Sequence, residues 1–448
     1  MSKVLFSTID ADEHDIYKIM LAVAKTHSNA TKIIVENNIR PFSLISLIKI
    51  SIIRIFVIFC ALNILIRGKR LSQLYWKKYN IGAYANSAAY RSIQSYNNKL
   101  IFFIKYNLSL LRLVRKLVTA LDMRADIDCA LVDHGCYENG IYVEVFSEYG
   151  LQLYYNDYPF GFACVQPTTL SSYADILQIP RDYVSQVSEN DIVNIFQNRL
   201  ENSDSIPYLI TQFQDISVRH DFEFLIYAHS FTDAQGNFGS DNAFDNVYQW
   251  LNFVLEVLKD RRVCIKAHPG IYVSGYNSQV FDWDLQLFRK IKTLHSDKNN
   301  FHFLDKPVMN SSVLKTLNSD CIVVSHHSNA LLEAGFLGFK CVASKLSTPW
   351  KNFSLFNSWS NKNELRNLLT VGSENLQHTN HDLLLDYLSK LYSIKGGVFG
   401  QHWFKTIEMY AGVNKDLLMK DPRVLKVNSA EYRKLVSEIC DRMETIVL

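Results

Sequence analysis

Residues 321–345 read CIVVSHHSNALLEAGFLGFKCVASK, and the fold turns on how they are read. The apolar run 321–324 stops at four polar residues, Ser325, His326, His327 and Ser328. NALLEAGFLG then has helical spacing and closes on Gly338, and KCVASK begins a second apolar run. A short strand, a polar loop, a helix and a further strand make the βαβ unit of a parallel sheet. Upstream the same alternation recurs. FEFLIYAHSF (222–231) predicts a strand ending in a polar loop, with a helix over 243–258 behind it. RVCIKAHPG (262–270) and FHFLD (301–305) predict strands followed by helices over 283–294 and 311–317. Downstream, ELRNLL predicts one more helix. Strands alternating with helices imply a parallel sheet covered on both faces.

The first half repeats the theme less regularly. KVLFSTID predicts a first strand, residues 13–27 a helix, and TKIIVE a second strand. Residues 41–121 are apolar and basic and read as mostly helical. DCALVDHG and LQLYYND predict strands on either side of a helix over 141–149, a second βαβ unit. Residues 171–205 are polar and helical in pattern, and EYRKLVSEICDRM near the end predicts a last helix. A fresh strand start near 205–222 divides the chain into an N-terminal unit, 1–215, and a C-terminal unit, 216–427, with the helix 428–448 returning to the first.

The 448 residues suffice for two or three domains. Hydrophobic residues at 48% against 20% charged describe a folded protein and exclude a disordered one. A net charge of +3 gives no footing to a general polyanion binder, and nucleic acid is not an expected partner. The 8 cysteines form no CxxC pair, which argues against a zinc ribbon or a thioredoxin-type site. Cys60, Cys264, Cys321 and Cys341 lie in apolar runs, where a thiol behaves as a small buried hydrophobe. The opening MSKVLFSTIDADEHD turns acidic where a signal peptide needs apolar residues, so the expected location is the cytoplasm.

LISLIKISIIRIFVIFCALNILI (44–66), followed by RGKR, is nearly long enough to cross a bilayer but contains Lys49 and Arg54. A buried or groove-lining helix is the first expectation. A surface-bound helix, giving peripheral membrane contact through 44–70 at the inner face of the plasma membrane, and a true span are the alternatives.

Ligands of open parallel sheets bind at the carboxyl ends of the strands. Three such ends carry the unusual polar residues: His229, Asp233 and Gln235 in AHSFTDAQG, Lys266 and His268 in KAHPG, and the Ser325–Glu333 segment. Ser328 and Asn329 stand where a helix begins, and free backbone N–H groups there would favour a phosphate. Glu333, one turn further on, can accept hydrogen bonds from paired sugar hydroxyls; the plain alternative is a solvated helix residue behind an N-cap serine. Lys266 and His268 suit a phosphate or a sugar carboxylate. Asp233 is the candidate base for removing a proton from a sugar hydroxyl, with Asp241, Asp245 and His229 as alternatives. A metal-dependent scheme would use a DxD triplet. Asp10–Asp12 ends a strand, Asp126–Asp128 leads into one, and Asp282 of the third reads as a helix cap, so no metal ligand is assigned. A hydrolase built on Ser325 or Ser328 lacks a GxSxG elbow.

Taken in order, KAHPG and SHHSNALLEAGFLGFKCVAS resemble the basic-x-His-Pro and His/Ser-rich elements of the capsule polysaccharide biosynthesis glycosyltransferases. That group is similar to the bacterial Kdo transferases and, more distantly, to CDP-glycerol glycerophosphotransferases. YNIGAYANSAAYRS (79–92) and DHGCYENGIYVEVFSEYG (133–150) are similar to further elements of the group, so the resemblance covers about half the chain. It implies an α/β, GT-B-like fold, two Rossmann-like domains facing a cleft. It also implies inverting transfer, without metal or other cofactor, from a nucleotide-sugar donor to a glycan or lipid-linked glycan of the capsule or O-antigen type. His268 and the turn at His326, His327 and Ser328 would contact donor phosphate, and Glu333 would hold the nucleotide's sugar. His229, Lys266 and Asn329 complete the donor side, Asp233 would be the base, and His134 and Tyr137 lie on the acceptor side. The chain departs from the group in having Lys266 where arginine is frequent and His327-Ser328 where Gly-Thr or Thr-Ser occurs. Transfer of a polyol phosphate from a CDP-activated donor, or a non-catalytic glycan-assembly role, are the alternatives.

Overall fold

The structure, a computed structural model, describes residues 2–7, 30–35, 43–91, 99–127, 129–133, 137–149, 151–157, 161–165, 221–232, 243–272, 278–345 and 353–396, with isolated positions between 190 and 200. Two α/β units follow one another, each on its own sheet.

The first sheet holds β1 (Ser2–Ser7), β2 (Ala30–Val35), β3 (Cys129–Asp133), β4 (Gln152–Asp157) and β5 (Gly161–Val165) in the order β2-β1-β3-β4-β5. The first four are parallel, and β5 runs antiparallel to β4. The sequence reading omitted β5. The short connection from Asp157 to Gly161 permits only an antiparallel neighbour, since a parallel return needs a crossover of a dozen residues or so.

Among the described residues four α-helices accompany this sheet: α1 (Leu44–Ile66), α2 (Ile81–Arg91), α3 (Lys99–Met123) and α4 (Gly140–Glu148). Leu110, Leu113, Val114 and Leu117 of α3 pack with Tyr142 and Phe146 of α4 and Val132 of β3. The glycine of the 79–92 element has a packing reason: a Cβ on Gly82 would lie 2.3 Å from Leu71 O and 2.6 Å from Leu74 N. Only hydrogen there lets α2 start against the preceding turn, where Gly82 N donates to Leu74 O at 2.8 Å.

The expectation of a buried helix over 44–66 is not met. Within α1 the buried residues are Ser46, Ile50, Val57 and Ala61, whereas Ile52, Phe59 and Ile66 are mostly exposed. One neighbouring helix, α3, covers one stripe of α1 and leaves most of a largely apolar surface open.

The second sheet has β6 (Phe224–Tyr227), β7 (Val263–Lys266), β8 (Phe301–Leu304), β9 (Ile322–Ser325), β10 (Lys340–Ser344) and β11 (Asn357–Trp359), ordered β11-β10-β9-β6-β7-β8 and parallel throughout. Alternate residues feed two cores. Phe224, Ile226, Ile265 and Val324 face α5 (Val247–Val257), α6 (Ser278–Leu294) and α9 (Lys362–Thr370). Leu225, Tyr227, Cys264 and Val323 face α7 (Asn310–Thr316), α8 (Ala330–Phe336) and α10 (His381–Gly396). Burial on both faces is why these strands read as unbroken apolar runs. The α/β, GT-B-like layout of two Rossmann-like units expected from the sequence is the layout adopted.

Several boundaries shift. α5 begins at Val247 behind an Asn246 cap that accepts from Gln249 N at 2.8 Å. α6 begins at Ser278, so Asp282 lies within the helix and not at its start. β11 and α10 escaped the sequence reading. The helices expected over 13–27 and 428–448 lie outside the described residues, as does nearly all of 171–205. Three contacts join the units in front of α5. Arg70 Nε pairs with Asp245 Oδ1 at 2.8 Å, Arg70 Nη2 donates to Ala243 O at 2.9 Å, and Asn246 Nδ2 donates to Tyr90 OH at 3.1 Å.

Candidate functional site

The second sheet changes direction at β6. From there the chain adds β7 and β8 on one side, then returns to place β9, β10 and β11 on the other. The carboxyl ends of β6 and β9 therefore flank the switch point, where open α/β sheets bind their ligands. His229 follows β6 and His327 follows β9, and their ring centroids lie 4.0 Å apart. His268, two residues past the end of β7, is 5.2 Å from His229. Three strand ends thus contribute to one imidazole cluster, as their sequence positions predict.

Lys266 is the last residue of β7 and is 2% exposed. Loss of hydration lowers its pKa to about 8, against the opposing pull of Glu333. Glu333 is buried in α8, where its Oε2 accepts from Asn310 Nδ2 at 2.8 Å. It is neither a solvated helix residue nor an open carboxylate, and Asn310 is a partner the sequence did not announce. Burial also holds His268 and His327 well below the usual histidine range, helped by the neighbouring imidazoles and, for His268, by Lys266. At neutral pH both rings are uncharged.

His326 departs from expectation. Its ring stands edge-on to Trp250 at 5.7 Å and to Trp359 at 5.3 Å, inside the core rather than at the rim. Its Nδ1 lies 2.9 Å from Nδ1 of His327, so it touches the cluster from behind. The proposed anion site at the start of α8 is also corrected. Ala330 N donates to Ser328 Oγ at 3.2 Å, Leu331 N to Ser328 O at 2.9 Å and Leu332 N to Asn329 O at 3.0 Å. The tight turns of a seven-residue helix consume the N–H groups that a phosphate would need. Ser325 Oγ is buried and donates to Tyr227 O at 2.9 Å, tying β9 to β6 instead of standing as a nucleophile.

Asp284 is the residue that sequence reasoning missed. It is fully buried and accepts from Ser230 Oγ, from Phe231 N at 3.0 Å and from Thr232 Oγ1 at 3.0 Å. It clamps the loop that leaves β6 immediately after His229. A signal was available: Asp284 shares the helical face of Phe288 and Ile291, both fully buried, so its carboxylate had to point inward. Asp233, Gln235, Asp241 and His134 lie outside the described residues. Asp245 is engaged by Arg70. Tyr137 follows β3 on a 3-10 turn with φ of 51°, its buried ring 4.7 Å from the Arg91 guanidinium. Among the described residues no group of three or more His, Cys, Asp or Glu is arranged to hold a metal ion.

No family model matches the chain, and no curated protein matches it by sequence. Solved structures similar to it include the UDP-GlcNAc 2-epimerase of Methanocaldococcus jannaschii in complex with UDP-GlcNAc and UDP. That likeness has 13% identity and a TM-score of 0.29, covering 86% of this chain and 97% of the other. The β Kdo 2,4 transferase KpsC of Thermosulfurimonas dismutans is similar at 10% identity and a TM-score of 0.32, over 61% of this chain and 86% of its own. HepE of Anabaena, in complex with UDP and glucose, is similar at 10% identity and a TM-score of 0.30, over 92% and 100%. The architecture rests on the two sheets and their strand orders.

Proposed function

We propose that the chain is an inverting, metal-independent glycosyltransferase that moves a sugar from a nucleotide-activated donor to a surface polysaccharide of the capsule or O-antigen type. The observation behind this reading is the convergence of His229, His268 and His327 at the switch point, with the buried Lys266 near enough to His268 to act on its charge. When the bond between sugar and nucleotide breaks, negative charge gathers on the departing diphosphate. A preorganised cation and N–H donors in a site poor in water stabilise that charge far more than water would. Lys266 supplies the cation. His268 and His327 are neutral when empty, and an arriving diphosphate raises their pKa, so donor binding draws protons into the cluster.

Glu333, fixed by Asn310, is the acceptor for the hydroxyls of the nucleotide's sugar in this scheme. Asp233 removes the proton of the attacking hydroxyl. His134 and Tyr137 belong to the acceptor side of a unit spanning 1–215, to which a C-terminal helix, 428–448, returns, and this unit faces a donor unit spanning 216–427. Left-handed backbone at a bulky residue is uncommon and concentrates at functional sites, which favours a role for Tyr137. The protein works in the cytoplasm, peripherally at the inner face of the plasma membrane.

A thermal-shift panel of UDP-, GDP-, CMP- and CDP-linked sugars and polyols tests the reading, run with a divalent ion and with a chelator. A true donor at a hundredfold excess over its dissociation constant adds about 2.7 kcal/mol of stability. One nucleotide sugar should raise the melting temperature equally with and without metal. A flat panel would remove the donor site, and a response confined to CDP-polyols would change the substrate class.

A further inference from the structure

The exposed apolar face of α1 continues onto α3. Hydrogen bonds from Ser46 Oγ and Lys49 Nζ to Asp122, and from Arg54 to Leu111 O, show that the two helices run antiparallel. Those bonds also explain the two charges inside the apolar run. Lys49 and Arg54 both turn toward α3 and find partners there, so the outward side of α1 carries no charge from Leu44 to Ile66. Ile52, Phe56 and Phe59 are each more than half exposed on α1, and Leu100 and Ile104 at least half on α3. Contiguous apolar area of this extent marks an interaction surface.

Charge identifies the partner. Residues 37–121 contain 14 Lys and Arg and not one Asp or Glu, in a chain whose net charge is only +3. At the end of the hairpin, Arg67, Lys69 and Lys99 are exposed beside the apolar face. A second copy of the chain would set two such basic segments against each other. A bilayer bearing anionic headgroups satisfies both the apolar and the basic part.

We infer that α1 and α3 form a docking face for an anionic lipid membrane, with α1 lying in the plane of the interface. A transmembrane orientation is disfavoured by α3, whose Leu110, Leu113 and Leu117 belong to the core of the first unit. To cross the bilayer, α1 would have to leave α3 and carry Lys49 and Arg54 into hydrocarbon without their partners. Lying flat, it buries its outer stripe while basic side chains reach headgroup phosphates. This inference is independent of the sugar-transfer reading.

Co-sedimentation of the full chain with vesicles tests it, using phosphatidylcholine alone and phosphatidylcholine mixed with phosphatidylglycerol. The chain should bind the anionic vesicles, less so at high salt. Arg67→Ala, Lys69→Ala and Lys99→Ala should each weaken binding about fivefold, the worth of one basic residue near such a surface. A Phe56→Ser/Phe59→Ser variant, at exposed positions, should lose binding while melting as the parent does. Phe59→Trp should gain an emission that brominated acyl chains quench. Absence of binding, or equal binding to both vesicles, overturns the inference. So does dimerisation that the Phe56→Ser/Phe59→Ser variant abolishes, which assigns the face to a second copy. Resistance to alkaline extraction from cell membranes overturns the flat orientation.

Discussion

Nδ1 of His326 lies 2.9 Å from Nδ1 of His327, so one of the two rings donates its proton to the other. Protonating both would set two N–H groups against each other beside His229. That geometry fits the pKa of His327, held well below the ordinary value first by burial and then by its imidazole neighbours, and His268 shares the trend. The unfolded chain takes up protons at about pH 6.5, whereas these folded rings resist protonation until much lower pH. In that window the unfolded state binds more protons, so stability falls as pH drops. Denaturant melts should show a midpoint that is steady above about pH 7 and declines below about pH 6.5. His327→Gln, neutral at all these pH values, should flatten the decline, and an unchanged slope in the variant would count against the assignment.

The same cluster should take up protons when it binds a diphosphate. Calorimetric titration of the preferred donor near neutral pH, in buffers of different ionisation enthalpy, measures that uptake directly. Lys266 supplies a complementary expectation. Its pKa falls from 10.5 to about 8, so the buried charge costs the fold about 3 kcal/mol. That cost is present in full below pH 8 and fades as pH rises toward the unfolded value. Lys266→Met should abolish donor binding; it lifts the cost of the buried cation but leaves the buried Glu333 carboxylate without its opposite charge, so a gain in stability is expected only when Glu333→Gln is added. A Lys266→Met variant that still binds the donor would refute the role given to Lys266.

Glu333→Ala should weaken the donor by the worth of a charged hydrogen bond, about 1.5–3 kcal/mol. Asn310 loses its acceptor in the same variant, so Asn310→Ala is the control. If Asn310 only holds the carboxylate in place, its loss should cost less than that of Glu333. Equal donor affinity in Glu333→Ala and parent protein ends the proposed role.

How much of this was legible depended on period and on chain ends. The central strands of the second sheet, β6, β7, β9 and β10, were legible because both of their faces are buried, which leaves apolar runs such as CIVV and VCIK. Their polar ends stood out for the same reason. β11 was not legible, since NSW is three residues long and leans on β10 for its register. Asn310 was invisible because it meets Glu333 across 23 residues of sequence from a separate helix. His326 and His327, adjacent in sequence, looked equivalent; alternation sends one toward Trp250 and Trp359 and the other toward His229, a distinction that period alone supplies. The exposed face of α1 was misjudged because a helix so rich in apolar residues predicts burial, and only tertiary packing reveals that α3 covers no more than one stripe of it.

Two aspartates bracket the proposed chemistry of the loop after β6, and their variants should fail in different ways. Asp284 holds Ser230, Phe231 and Thr232 from inside α6. Asp284→Asn keeps one oxygen but forfeits its charge, and replaces an acceptor with a donor facing hydroxyl and amide groups. Stability should fall by about 1.5–3 kcal/mol, the value of a hydrogen bond to a charged group, and turnover should fall with it as the loop loosens. Asp233 is the next residue after Thr232, and as the proposed base it is worth about 10²–10⁴-fold in rate. Asp233→Asn should leave the melting temperature and donor affinity at parental values and lower only kcat, by that factor. Undiminished transfer in Asp233→Asn would assign the proton to another group, with His229 at the same strand end the first to examine.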